Sequence, residues 1–290
     1  MNIRGGQKGV KPQRQIILIL DFGSQYTQLI ARRIRERNVY CEIHPYYLSL
    51  ADIEALQPEG IVLSGGPASV YAPSAPLPDK RIFELGLPIL GICYGMQVLA
   101  YLSVSGQVHP ATTREYGLAE IDLSSQSIQT SNALFAGLPN SFDVWMSHGD
   151  RIDQLPDGFQ SIAKTDNSPV AAMMNLEKNF YGLQFHPEVV HTKDQDLILA
   201  NYVHQICGCE GDWTMHSFIE ETVEKIQNQT DGGRVLCAVS GGVDSTVLTA
   251  LVQRAIGQQL VCVFVNNGLL RQNESDQVLE MFQSLKVDVH

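Results

Sequence analysis

The sequence predicts an α/β protein, a doubly wound mixed sheet followed by the first part of a second α/β domain. Three observations carry this. Short apolar runs without alternation, such as Ile16-Ile17-Leu18-Ile19-Leu20, each lead into a turn and an amphipathic helical pattern, as parallel strands buried on both faces require. From Gly106 to Phe185 the helices drop out and short strand-like segments follow one another. After a glycine-containing joint, Gly208 to Trp213, strands and helices alternate again.

The elements follow in order. Ile16–Leu20 is the first strand, and Asp21-Phe22-Gly23-Ser24 turns into a helix over Gln25–Arg37, whose apolar face carries Tyr26, Leu29, Ile30 and Ile34. Val39–His44 is the second strand, Ala51–Leu56 a short helix, and Gly60–Leu63 the third strand, ending at Ser64-Gly65-Gly66-Pro67. A proline-rich loop, Tyr71–Pro78, precedes a helix near Asp79–Leu85; Pro88-Ile89-Leu90 is the next strand and Val98–Leu102 the next helix. Segments near Gln107–His109, Leu118–Leu123, Phe142–Trp145, Gln160–Lys164 and Val170–Asn175 form an antiparallel or mixed extension. Tyr181–Phe185 is a last strand, and a helix over Asp194–Cys207 closes the domain with Leu197, Ile198, Ala200, Tyr202 and Val203. In the second part, helices are expected over Thr214–Gln227, Ser245–Ile256 and Gln272–Leu285, with strands over Val235–Val239 and Leu260–Val265. Val287–His290 reads as the start of a third strand, so the chain is expected to be a piece of a longer protein. The organisation is a mobile tail over 1–15, a first domain over 16–207, a linker over 208–213 and a second domain over 214–290.

Bulk properties narrow the function classes. Among 290 residues the formal net charge is −11, which argues against a nucleic-acid-binding surface. Six cysteines are too sparse for a disulfide scaffold, and Cys207-Gly208-Cys209 lacks the spacing of a zinc site. A reducing, cytoplasmic setting follows. No run approaches the length of a membrane span, and the first 15 residues have no apolar core of the kind a signal peptide needs.

Gly91-Ile92-Cys93-Tyr94-Gly95 lies between a strand and a helix, the pattern of a nucleophile elbow. Flanking glycines permit a turn too tight for a Cβ, and the helix N-terminus favours a thiolate at Cys93. A covalent nucleophile needs a base and an orienter. His186-Pro187-Glu188 offers both: in an extended segment residues two apart project to one side, so the carboxylate can hold one imidazole nitrogen while the other faces sulfur. His148, beside Asp150, is a rival base. Gly65 and Gly66 end a central strand and, with the N–H of Tyr94, can supply oxyanion donors.

These three motifs, in the order they take along the chain, Ser64–Pro67, Gly91–Gln97 and Phe185–Glu188, resemble the class I glutamine amidotransferases, over about Ile16 to Cys207. The resemblance implies a flavodoxin-like fold. It makes Cys93 the nucleophile that forms a γ-glutamyl thioester, His186 its acid and base, and Glu188 the orienter. Gly65, Gly66 and Tyr94 would hold the oxyanion. Gln97, Ser147, His148 and Gly149 would grip glutamine.

The run Ser240-Gly241-Gly242-Val243-Asp244-Ser245 also follows an apolar strand and opens a helix. Its glycines let consecutive N–H groups cup an anion, and its hydroxyls can donate to phosphate. Asp244 would repel a phosphate unless a cation bridges them, which implies Mg²⁺ at Asp244. The run is similar to the SGGxDS signature of the ATP pyrophosphatases, which implies ATP. Val263 to Arg271 resembles the second strand and turn of that domain in the GMP synthase family, except that Asn266 stands where that family has Asp. A triad amidotransferase followed by such a loop is the arrangement of that family, a group of cytoplasmic purine-biosynthesis ligases. The resemblance implies glutamine, ATP and XMP as substrates, and a homodimer formed through a region beyond His290. A stand-alone γ-glutamyl cysteine hydrolase would need no ATP loop, and a non-catalytic nucleotide-binding regulator would need no Cys93, His186 and Glu188. NAD synthetase and asparagine synthetase share the loop but pair it with other glutaminases.

Overall fold

The computed structural model describes residues 14–123, 132–266 and 268–290. The chain divides into two compact units between Asp212 and Trp213. The first unit is built on strands β1 (Ile16–Asp21), β2 (Tyr40–Pro45), β3 (Gly60–Leu63), β4 (Ile89–Ile92), β5 (Gln107–Leu123), β6 (Ser141–Gln154), β7 (Gln160–Lys164), β8 (Ala172–Asn175) and β9 (Phe180–Leu183). They form one sheet in the order β2-β1-β3-β4-β9-β8-β7-β5-β6. The pairs from β2 to β9 are parallel, and those from β9 to β6 are antiparallel. The mixed, doubly wound sheet is the fold class expected.

Period-two alternation explains why the parallel half is apolar throughout. Ile17 and Ile19 of β1 enter one core with Ile30, Ala31 and Ile34 of helix α1 (Thr27–Glu36). Leu18 and Leu20 enter the opposite core with Val98 and Leu99 of helix α3 (Tyr94–Leu102). Helix α2 (Leu50–Leu56) is capped by Ser49, whose hydroxyl accepts from the Asp52 N–H.

The structure corrects several expected boundaries. The two strand segments at Gln107–His109 and Leu118–Leu123 belong to the single strand β5, which pairs with β6 across a register shift between Pro110 and Glu115. Proline lacks a donor for the ladder, so the break in the sequence pattern marks a bulge rather than a loop. The segment near Asp79–Leu85 is a 3₁₀ turn, Lys80–Glu84. The closing helix is α4 (Gln195–Ala200), continued by a π turn over Asn201–Ile206 in which Cys207 N–H donates to the Tyr202 carbonyl at 2.9 Å. Its inward face uses Ile198, Leu199, Tyr202 and Val203; Leu197, expected inside, is 36% exposed. Residues 1–13 of the expected tail lie outside the described residues. Gln15 is held, its Oε1 accepting from the Glu210 N–H at 2.8 Å.

The second unit contains helix α5 (Met215–Thr230), strand β10 (Val235–Val239), helix α6 (Val243–Ile256), strand β11 (Leu260–Phe264) and helix α7 (Glu274–Ser284). Thr214 caps α5 in a reciprocal box with Ser217. β10 and β11 are parallel, and Val289 adds a parallel bridge to Cys262 where a third strand was expected. Cys237, Val239, Cys262, Val278 and Phe282 form its core. Among the described residues, no helix is long and apolar enough to cross a membrane.

The elbow after β4 leaves no room for side chains. A Cβ on Gly95 would lie 2.2 Å from the Leu63 carbonyl oxygen, and one on Gly91 would lie 2.5 Å from the Gly95 carbonyl oxygen. Gly95→Ala must therefore push α3 off β3. A cost of about 1–3 kcal/mol is expected for such overpacking, so a thermal melt of the variant falls by roughly 2–12 °C.

Candidate active site

Cys93 sits between β4 and α3 with φ 51° and ψ −105°, a left-handed backbone that a side chain rarely adopts. Its N–H donates to the Leu183 carbonyl at 2.7 Å, which ties the elbow to the end of β9. The side chain is 5% exposed, at the wall of a cavity of about 820 Å³. Sγ reaches the Ser147 carbonyl at 3.5 Å, and Gln184 Nε2 approaches it at 3.8 Å.

His186 follows β9 and faces Cys93. Its Nδ1 is 2.7 Å from Oε1 of Glu188. Pro187 and Glu188 lie in a turn rather than in a continuing extended segment, and the turn still brings the carboxylate back to the ring. The backbone is fixed on both sides: His186 N–H donates to the Trp145 carbonyl at 3.0 Å, and the Thr192 hydroxyl donates to the His186 carbonyl at 2.7 Å. Tyr26 meets the ring edge-on with centroids 5.1 Å apart. Glu188 is fully buried, and its Oε2 has no hydrogen-bond partner among the described residues. Its charge is thus answered chiefly by His186. Burial alone would lower the imidazole; the neighbouring Glu188 carboxylate and the Cys93 side chain reverse that and push it up to about 10.

The rival base is occupied. One ring nitrogen of His148, Nδ1, is 2.9 Å from the Asp150 carbonyl, and the other, Nε2, is 3.2 Å from Glu115 Oε2. Asp150 turns its carboxylate to the Tyr71 hydroxyl, which donates at 2.5 Å. Glu115 is buried and also accepts from the hydroxyls of Thr165 and Ser168. Burial alone would raise this carboxyl, but the bonds from His148, Ser168 and Thr165 hold it below the usual range.

Of the other expected residues, Gly66, Tyr94, Gln97, Ser147, His148 and Gly149 all line the cavity. Gly65 stands behind His186: a Cβ there would lie 3.2 Å from its Cε1. The amide nitrogen of Gln97 is committed inward, to the Asp150 carbonyl at 3.2 Å and to Gln184 Oε1 at 3.4 Å. Sequence reasoning missed Glu115, Tyr71 and Gln184. Glu115 belongs to no motif and is placed only by its cross-strand pairing with His148. Gln184 was in plain view, a buried amide between Leu183 and Phe185 at the end of an apolar strand.

In the second unit, the Ser240–Ser245 loop joins β10 to α6. Ser240 Oγ and Ser245 Oγ are 3.3 Å apart, and Gly242 N–H points at Ser240 Oγ at 3.4 Å. Gly241 has φ 76°, and a Cβ there would lie 2.3 Å from Val278 Cγ2. Gly242 is the N-cap of α6, and Asp244 is exposed in its first turn. Among the described residues no three carboxylate, imidazole or thiol groups gather for a metal. A single carboxylate beside hydroxyls suits a cation that takes most of its ligands from phosphate and water, as Mg²⁺ does. Asn266 is exposed and caps its own turn, accepting from the Gly268 N–H at 3.0 Å; Asn267 lies outside the described residues.

Comparison with known proteins adds two family matches. Residues 18–206 match the glutamine amidotransferase class-I model, and residues 215–289 match the PP-loop domain model. The chain is 52% identical over 270 residues to the glutamine-hydrolysing GMP synthase of Clostridium botulinum, which covers 93% of this chain and 52% of that protein. It is 55% identical over 267 residues to the enzyme of that name from Wolinella succinogenes, covering 92% and 51%. The chain thus spans about half the length of the curated relatives it matches. A Thermoplasma acidophilum protein of known crystal structure, described as a candidate component of GMP synthase, aligns with a TM-score of 0.57 at 28% identity, over 72% of this chain and 98% of that one.

The His186 value has a sign that can be tested. The folded-state pKa lies above the ordinary 6.5, so the pair's contribution to stability is fully present below about pH 6.5 and is lost as pH rises towards 10. In NMR spectra the His186 ring is expected to remain an imidazolium at pH 8, and Glu188→Gln is expected to return its midpoint towards the ordinary value.

Proposed function

The chain belongs to the class-I glutamine amidotransferase family, and from that premise we propose that its first unit hydrolyses glutamine at Cys93. The observation that carries the reading is the buried line of three side chains: Cys93 on a strained elbow, His186 facing it, and Glu188 at 2.7 Å behind the ring. The nucleophile is the thiolate form of the Cys93 sulfur, beside the charged imidazole. It attacks the side-chain amide carbon of glutamine, and the carbonyl electrons move to oxygen. The N–H groups of Gly66 and Tyr94, with Gly65 behind them, meet that oxyanion. His186 gives its proton to the leaving nitrogen, so ammonia departs and a γ-glutamyl thioester remains. Water then attacks the thioester, His186 takes its proton, and glutamate and thiolate are restored. Ser147, His148 and Gly149 frame the glutamine, and Gln97 lies on the same wall.

The PP-loop match supports ATP as the ligand of the second unit. Ser240, Gly241, Gly242, Val243 and Ser245 would take its phosphates at the N-terminus of α6. Asp244 would hold Mg²⁺, which supplies charge neutralisation between phosphate oxygens when bound. By likeness to the GMP synthases, the whole protein would use ammonia to aminate an adenylated XMP, and would work as a homodimer in the cytoplasm. The PP-loop match favours this over a stand-alone γ-glutamyl hydrolase.

Two measurements test the proposal. Glutamate release from glutamine is expected to fall at least about a thousand-fold in Cys93→Ala; unchanged release would remove Cys93 from the chemistry. Calorimetric binding of ATP with Mg²⁺ is expected to weaken about ten-fold in Asp244→Asn, and equal affinity in the variant would detach Asp244 from the cation.

A further inference from the structure

Two polar groups of opposite preference meet the Cys93 sulfur. The Ser147 carbonyl at 3.5 Å can only accept, so it favours the thiol. The Gln184 side-chain nitrogen at 3.8 Å, towards the long end of hydrogen-bond reach for sulfur, can only donate, so it favours the thiolate. Gln184 is 1% exposed and lies behind the cavity wall, where a substrate does not reach it.

An amide side chain could turn its oxygen to the sulfur instead, and that choice is made elsewhere. The Asp150 carbonyl has no proton to give, so Gln97 must present its nitrogen there, at 3.2 Å. The same Gln97 nitrogen lies 3.4 Å from Gln184 Oε1. A reversed Gln184 would set nitrogen against nitrogen at Gln97. Its oxygen is therefore held inward and its nitrogen outward, towards sulfur. The Gln184 backbone is pinned as well, with its N–H on the Ala171 carbonyl at 2.9 Å.

We propose that Gln184 is a positioning residue that stabilises and aims the Cys93 thiolate, its orientation transmitted from the Asp150 carbonyl through Gln97. The proposal rests on the reading of Cys93 as the reacting thiol. Other groups face the same space: His186 with Glu188 behind it after β9, Tyr94 on α3, Tyr26 before α1, Arg114 on β5, and His148 and Asp150 on β6. Gln184 differs from them in donating to sulfur from a fixed, uncharged group.

The test is the pH dependence of Cys93 alkylation by iodoacetamide in the intact chain, read by mass spectrometry of the Cys93 peptide. In Gln184→Met, which keeps volume and loses the donor, the midpoint is expected to rise by roughly one pH unit, a ten-fold loss of thiolate at neutral pH. Glutaminase kcat should fall about as much, with KM unchanged. Gln184→Glu, nearly the same shape, should shift the midpoint further because its carboxylate repels the thiolate. An unchanged midpoint in a folded variant overturns the proposal. In the unaltered chain, the Gln184 side-chain amide protons should move in NMR spectra as Cys93 titrates; their failure to move overturns it equally. Absence of glutamate release from the unaltered chain would instead overturn the hydrolytic reading, and the alkylation result would still judge Gln184.

Discussion

The site depends first on where β9 lies in the sheet. It is the strand at which the sheet changes sense, parallel to β4 on one side and antiparallel to β8 on the other. The bond from Cys93 N–H to the Leu183 carbonyl closes the last rung of the β4–β9 pairing. It therefore sets the elbow against the chain that carries Gln184, His186 and Glu188. Side chains alternate along a strand, so a slip of one residue would turn Gln184 away from the sulfur. The apolar residues of both strands, fully assigned to one core or the other, make that slip costly.

Two buried carboxylate–imidazole pairs flank the cavity, and they have different fates. Glu188 is spent on one nitrogen of His186 and leaves the opposite edge of the ring to the sulfur. Glu115 takes one nitrogen of His148 while the Asp150 carbonyl takes the other. The first pair is thus open to chemistry and the second is closed into structure. Nothing in the local sequence around either histidine states this difference; it is a property of what each ring faces.

Much of this was legible in the chain. The elbow announces itself because only glycine fits at Gly91 and Gly95, and the tripeptide His186-Pro187-Glu188 because a proline fixes how the chain leaves the sheet. The parallel strands were legible from uninterrupted apolar runs. The antiparallel half was read in fragments, because Pro110 and the bulge after it interrupt the pattern of β5. The π turn at Asn201–Ile206 was invisible, since it reflects tertiary fit: Asn201 turns its side-chain nitrogen to the carbonyls of Leu134 and Ala136. Gln97 was read as a ligand group, but a single sequence could not show that its nitrogen already serves Asp150 and Gln184. Pairings made across dozens of residues leave no local trace.

The Glu115 cluster makes one wall of the cavity sensitive to acid. β5, β6 and the turn before β8 meet at a carboxylate that accepts from His148, Thr165 and Ser168. Its pKa is depressed in the fold, so its contribution is whole above the ordinary carboxylate value and drains away as pH drops through the folded one. The strands beneath Cys93 are packed by hydrocarbon, with the buried Glu188–His186 pair as their own titratable link. On acidification the wall built by β5 and β6 loses the bonds that Glu115 accepts. The cavity would loosen along that wall, away from the strands that carry Cys93.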